Sequence, residues 1–173
     1  MKDLFGGKNL VRFLADKKVN QANDVLTIKG ILDDIKDKEI EKVTILGFGN
    51  LGSKLASILS KYHIKIGTND KELADVFSNK FFLTTNKEQM KTYFKESDLV
   101  INTVPKNIIS EDLLQQSNAY ILDIASFPYG VPKDTAEKYK NYKLYSSIPS
   151  KYAPEKAGKI LAKKIKNDLR GLL

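Results

Sequence analysis

Six residues, Gly47-Phe48-Gly49-Asn50-Leu51-Gly52, have the types and spacing to hold a phosphate. They form a G-x-G-x-x-G run directly behind an apolar stretch, Lys42–Leu46, and the third glycine opens a segment with helical periodicity. Each glycine has its own task. Gly47 permits a tight turn, Gly49 lets the backbone approach a pyrophosphate with no Cβ in the way, and Gly52 lets helix and strand pack closely. Exposed N–H groups at the helix start, with the helix dipole behind them, then supply the anion site without a basic side chain. Three glycines at this spacing are weak evidence alone, since a ligand-free βα turn has the same need. The strand before them and the intact apolar stripe after them favour a nicotinamide dinucleotide site.

The end of the second strand should choose between the two nicotinamide cofactors, because a carboxylate there binds a ribose 2′-hydroxyl and repels a 2′-phosphate. The chain reads Ile66-Gly67-Thr68-Asn69-Asp70, so no acid stands immediately at that end. Thr68, Asn69 and Lys71 can hydrogen-bond a phosphate, while Asp70 lies slightly beyond the usual place. The balance leans to NADP, with NAD as the alternative. Two further segments border the same crevice: Asn102-Thr103-Val104-Pro105 after the fourth strand and Ala125-Ser126-Phe127-Pro128-Tyr129-Gly130 after the fifth. Their prolines stop the ladder and turn the chain out of the sheet.

No catalytic residue is assigned. His63 is the only histidine and precedes the second strand, so it reads as a surface residue. Asp123 sits in an apolar strand where a carboxylate needs partners, either as a hydrogen-bond hub or at the crevice edge. Tyr129, Lys151 and Tyr152 lie on loops, with a spacing that specifies no reaction.

The elements that must position these residues alternate strand-like runs with helical periodicity, the pattern of a parallel sheet. Six strands are expected: Lys42–Leu46, Ile64–Ile66, Phe81–Thr84, Leu99–Val104, Tyr120–Ile124 and Leu144–Ile148. Leu51, Leu55, Ile58 and Leu59 mark the crossover helix after the first strand. Met90, Tyr93 and Phe94 mark another, capped at Thr85 or Asn86, and a short helix is expected near Glu111 to Gln116. Val25 to Ile35 reads as a helix ahead of the sheet. Pro154 can occupy the first turn of a closing helix whose stripe is Ala157, Ile160, Leu161, Ile165 and Leu169, expected to dock on the sheet. The fold class expected is α/β, a Rossmann-type doubly wound parallel sheet of about six strands over residues 23–173, with residues 1–22 as an N-terminal arm.

Composition narrows the function. There is no cysteine among 173 residues, which excludes disulfides, thiolate metal sites and a cysteine nucleophile, and no metal site is expected. No window approaches the roughly 20 apolar residues of a membrane span, so the chain is expected to be cytoplasmic. The formal charge of +8 is concentrated late in the chain: Lys156, Lys159, Lys163, Lys164, Lys166 and Arg170 face only Glu155 and Asp168. No aromatic residues interleave with these lysines to stack bases, so they read as a solvated helix face, not a specific nucleic-acid site.

Several blocks together resemble the nucleotide-binding domain of the dipicolinate synthase A chain family, related in fold to the 2-hydroxyacid dehydrogenases. They are Thr27-x-x-Gly30, Gly47-Phe48-Gly49 through Gly52, Ile101–Pro105, Leu122–Ser126 with Pro128 and Gly130, and Ala153-Pro154-x-x-Ala157-Gly158-x-Ile160-Leu161. The resemblance covers about the last 150 residues. It implies NAD(P) binding, a role in sporulation, conversion of a dihydrodipicolinate-type intermediate to dipicolinate, and a separate flavoprotein-like partner subunit. Two departures stand out. The resemblance implies a further N-terminal domain where this chain has only a short arm, so the expectation is a fragment or a shortened relative that has lost catalysis, and Asn69 stands where the family tends to have a basic residue.

Two functions from different classes follow. One is a dinucleotide-dependent oxidoreductase subunit whose substrate wall comes from a partner subunit or a homo-oligomer. The other is a non-catalytic dinucleotide-binding or interaction module. A nucleic-acid binder ranks last.

Overall fold

The computed structural model describes residues 16–170, and it separates into two compact units, Met1–Lys36 with Ile148–Leu173, and Asp37–Ser147. Residues 1–15, most of the expected arm, lie outside the described residues.

The larger unit is built on six parallel strands: β1 (Lys42–Leu46), β2 (His63–Thr68), β3 (Phe81–Leu83), β4 (Leu99–Asn102), β5 (Tyr120–Asp123) and β6 (Tyr142–Leu144). Their order across the sheet is β3-β2-β1-β4-β5-β6, so the chain reverses direction of travel between β1 and β4. That reversal opens the crevice in which such sheets bind ligands. Register explains why it is level: Leu46 pairs with Gly67 on one side and Asn102 on the other, and Asn102 pairs with Asp123. The loops after β1, β4 and β5 therefore leave the sheet at one height.

A row of four side chains, Ile66, Ile45, Ile101 and Leu122, crosses the sheet through successive paired positions, each at most 1% exposed. Alternation sends their neighbours to the other face. There Leu46, Phe82, Val100 and Ile121 join a second core with three helices, α4 (Lys87–Glu96), α5 (Glu111–Gln116) and α6 (Lys133–Ala136), through Met90, Phe94, Leu113, Leu114 and Ala136. Of the two caps the sequence offers, Thr85 and Asn86, it is Asn86 that caps α4, accepting from the Gln89 N–H at 3.1 Å, and α5 occupies the expected residues. Between β1 and β2, α2 (Asn50–Ile58) buries Leu55 and Ala56, and Leu59 at its end is also buried. The short α3 (Lys71–Val76), which the sequence pattern did not mark, links β2 to β3.

Among the described residues the smaller unit is helical. Its α1 (Lys17–Ile35) starts eight residues before Val25, because Asp16 accepts from the N–H groups of Lys18 (2.9 Å) and Val19 (3.1 Å) and caps it. α7 (Ile148–Tyr152) and α8 (Pro154–Arg170) follow β6, with Pro154 at the start of α8 as expected. Gly30 is where α1 meets α7: a Cβ there would lie 2.4 Å from Ile148 Cγ2 and 3.2 Å from Tyr152 Cβ. Lys164 of α8 reaches Asp16 at 3.3 Å. Lys156, Lys159, Lys163 and Lys166 are exposed. Among the described residues no helix is long and apolar enough to cross a membrane.

The sixth strand differs from expectation. It runs Tyr142–Leu144 and not Leu144–Ile148, because Tyr142 pairs with Ile121, while Ser147 adopts φ +57° and Ile148 begins α7.

At the opposite end of the sheet from the crevice, Asp98 Oδ2 accepts from the N–H groups of Glu41 (2.9 Å) and Lys42 (2.8 Å). These bonds, Lys42's first, hold its carboxyl below the ordinary value. A carboxyl depressed in the folded state stabilises the fold above its unfolded value of about 4, and that contribution is lost as pH falls through the folded value. Asp98→Ala should cost about 1 kcal/mol at pH 7, the exposed position limiting the effect. In urea unfolding the gap to the parent should close as pH drops below about 4; a pH-independent gap would assign the loss to packing instead.

Candidate functional site

The turn after β1 gives each of its three glycines a separate reason. Gly47 has φ +98°, a left-handed conformation that side chains rarely adopt, and its N–H donates to the Gly67 carbonyl at 2.8 Å. A Cβ on it would sit 2.4 Å from Thr103 Oγ1. At Gly52 the added carbon would lie 2.1 Å from the Gly47 carbonyl oxygen, so the helix can start this close to the strand only without a side chain. Gly49 is the opposite case: a Cβ there would meet nothing within 4 Å. The absence of a side chain at Gly49 is not needed for the protein's own packing. It leaves an open cradle over the N-terminus of α2.

Gly49 is the N-cap of α2 and has no side chain with which to cap it, and no acidic residue lies in the first turn. The first turn thus presents the positive end of the helix dipole with no acidic side chain of its own to compete for it. Phe48 is 39% exposed and flanks the turn, its ring edge-on to Phe81 with centroids 4.8 Å apart. Asn50 is exposed and Leu51 half-buried. A pyrophosphate fits this donor set, since backbone amides and a dipole suit an anion that must be approached closely.

The neighbouring predicted residues fall into two groups. Thr103 and Val104 lie under the turn, with Thr103 Oγ1 donating to the Leu46 carbonyl at 2.9 Å. Pro105 and Ser126 are exposed, and Asn69 and Asp70 are exposed just past β2. Thr68, by contrast, is buried, its hydroxyl accepting from the Asp70 N–H at 3.1 Å. Asp70 Oδ1 accepts from the Leu73 N–H at 3.0 Å and caps α3. Ala125 is buried, and Asn102 is fully buried with its amide spent internally: Nδ2 donates to Asp123 Oδ1 (2.9 Å) and the Val104 carbonyl (3.1 Å), and Oδ1 accepts from Val104 N–H (3.0 Å).

Asp123 is a hub, the first of the two roles open to it. It is fully buried, and besides Asn102 its oxygens accept from the N–H groups of Ala125 (3.1 Å) and Gly130 (2.6 Å) and from the Tyr142 hydroxyl. Four donors from three segments offset the cost of burying the carboxylate. Burial first, and then the facing Asp123 carboxylate, push the Tyr142 hydroxyl well above its ordinary pKa, so it stays a donor. Asn107 adds a link that no local pattern announces: its Nδ2 donates to the carbonyls of Pro128 and Tyr129, both at 3.1 Å, tying the loop after β4 to the loop after β5. The Phe127–Pro128 peptide bond is cis.

His63 opens β2, exposed and at the end of the strand away from the glycine turn. Lys151 and Tyr152 belong to α7 in the other unit. Among the described residues no three metal-ligating side chains converge.

Residues 9–124 match the family described as D-isomer specific 2-hydroxyacid dehydrogenase, NAD binding domain. The chain belongs to that family. Among curated proteins it is 26% identical over 165 residues to the dipicolinate synthase A chain of Bacillus subtilis (strain 168), a match covering 90% of this chain and 56% of that protein. The crystal structure of the dipicolinate synthase A chain from Bacillus subtilis superposes with a TM-score of 0.75 at 27% identity, covering 95% of this chain and 58% of that one. The corresponding dipicolinate synthase chain from Bacillus halodurans gives 0.76 at 23% identity, covering 94% and 59%. The chain therefore spans little more than half the length of the relatives it matches. It is an NAD-binding domain resembling the dipicolinate synthase A chain, with a Rossmann-type fold.

Two glycine substitutions separate packing from binding. Gly49→Val should leave the unfolding midpoint nearly unchanged and abolish dinucleotide binding, because the branched side chain would fill the open cradle. Gly52→Val should destabilise by several kcal/mol through its clash with the Gly47 carbonyl. Undiminished cofactor binding by Gly49→Val, read by calorimetry, would contradict this division.

Proposed function

We propose that the chain holds a nicotinamide dinucleotide across the C-terminal edge of its sheet as one subunit of an oxidoreductase resembling dipicolinate synthase. In this reading the pyrophosphate lies on the N-terminus of α2 over Gly49, and the 2′ position of the adenosine ribose is met by Asn69 and Lys71, exposed just past β2. The rest of the cofactor passes Thr103–Pro105 and Ala125–Ser126. The open space at Gly49, bounded by a turn that Gly47 and Gly52 hold rigidly, carries this proposal.

The preferred cofactor is NADP. The Asp70 carboxylate is drawn to the start of α3, while exposed Asn69 and Lys71 stand beside it as phosphate donors. Substrate would be a dihydrodipicolinate-type ring, as the relatives' name suggests. Its second wall we assign to a partner subunit or a second copy, since one Rossmann sheet lines only one side of a cleft.

One observation favours the second reading, a binding module without chemistry. Arginine occurs only at Arg12 and Arg170, and the one histidine, His63, lies at the far end of β2, so the larger unit offers no guanidinium clamp and no imidazole at the crevice. Hydride transfer needs a substrate held close to the nicotinamide and shielded from water. Binding needs neither.

The isolated chain should bind dinucleotide and not turn over. Nicotinamide absorbance followed with a dihydrodipicolinate-type substrate should stay flat for the protein alone and change only with a partner subunit; steady turnover alone would contradict this. In calorimetry NADP should bind at least as tightly as NAD. A strong NAD preference abolished by Asp70→Ala would instead give Asp70 the ribose.

A further inference from the structure

We propose that Phe127 is the wall on which the nicotinamide ring of a bound dinucleotide stacks. The inference rests on the dinucleotide reading above and adds a residue to it.

Phe127 is 80% exposed, the most exposed large apolar side chain among the described residues. A solitary exposed phenylalanine on a loose loop would mean little. This loop is tied down on every side. The Tyr129 N–H donates to the Ser126 carbonyl at 2.9 Å, closing the turn around Phe127 and Pro128. Asn107 holds the carbonyls of Pro128 and Tyr129, the Ile109 N–H donates to the Gly130 carbonyl at 3.0 Å, and the Gly130 N–H is bound by buried Asp123. The Tyr129 and Phe127 rings meet edge to face with centroids 5.8 Å apart. The backbone that carries the ring is thus held in place, and a ligand that covers the ring does not bear the cost of ordering the loop.

Position identifies the ligand. Leu46, Asn102 and Asp123 stand at one level in adjacent strands, so the glycine turn after β1 and the Phe127 loop after β5 leave the sheet at the same height. Only β4 separates them, which places the two strand ends about 10 Å apart. A dinucleotide whose pyrophosphate sits on α2 extends one ribose and one ring further in the direction of β5. The segment Ala125–Gly130 carries no charged side chain, so it offers that ring an apolar and aromatic surface. A flat heteroaromatic ring is suited to it, and the oxidised nicotinamide, which carries a positive charge, gains a cation–π attraction as well.

ADP-ribose tests the assignment, because it keeps the pyrophosphate and adenosine and lacks the nicotinamide. Calorimetry should compare the parent, Phe127→Ala and Phe127→Tyr with oxidised NAD, oxidised NADP, ADP-ribose and its 2′-phosphate. Phe127→Ala should bind the oxidised dinucleotides about five- to tenfold more weakly. It should bind the two ADP-ribose probes within about twofold of the parent, unfold at an unchanged temperature, and be rescued by Phe127→Tyr. Equal affinity of Phe127→Ala and the parent for the dinucleotides, or an equal loss for the ADP-ribose probes, would overturn the Phe127 assignment and leave the dinucleotide reading standing. Failure of the parent to bind any of the four would overturn both.

Discussion

The candidate site depends on one backbone contact, the approach of Gly52 to the Gly47 carbonyl. Helix α2 can begin directly above the end of β1 only because neither residue carries a Cβ, and a carbon at Gly52 would sit 2.1 Å from that oxygen. This contact aims the helix axis, and hence its dipole, at the space over Gly49. Thr103 completes the arrangement from just past β4, its hydroxyl bonded to the Leu46 carbonyl and its side chain occupying the volume that a Cβ on Gly47 would need. The anion site is therefore a consequence of how closely a strand and a helix can pack, with no charged side chain in its construction.

The other half of the crevice is organised on a different principle. Where the glycine turn is shaped by excluded volume, the loops after β4 and β5 are shaped by a buried carboxylate. Asp123 gathers donors from Asn102, Ala125, Gly130 and Tyr142, and leaving any of these unmade in a dry interior costs about 1–3 kcal/mol. Gly130 shares in this closeness, since a Cβ on it would stand 2.5 Å from Asn102 Nδ2 and 3.0 Å from Asp123 Oδ2. Two buried polar residues at the ends of adjacent strands thus position exposed neighbours without facing a ligand themselves.

Local pattern revealed much of this and missed a definable remainder. Strand β1, the glycine turn and α5 are legible because each is specified by residues adjacent in the chain, and the cap of α4 is legible to within one residue, Thr85 or Asn86. Asp123 announced itself as a carboxylate in an apolar strand that needed partners, yet the partners lie up to 21 residues away, and only the tertiary structure names them. The displaced β6 has the same origin. An apolar pattern favours Leu144–Ile148, whereas pairing with Ile121 and the bond to Asp123 select Tyr142. Gly30 was visible only as part of a resemblance, and its reason is the close passage of Ile148. Asn107 left no signal at all, because an amide that bonds two carbonyls across loops has no periodicity to betray it.

The location of the dinucleotide is the central claim, and amide NMR reads it most directly. Titrating the isotopically labelled chain with NADP should move the backbone amide signals of Gly49 to Gly52 most, with smaller shifts at Thr103 and Ser126, and leave those of Glu41 and Lys42 at the opposite end of the sheet in place. Saturable shifts concentrated away from the glycine turn, or no shifts at millimolar NADP or NAD, would contradict it.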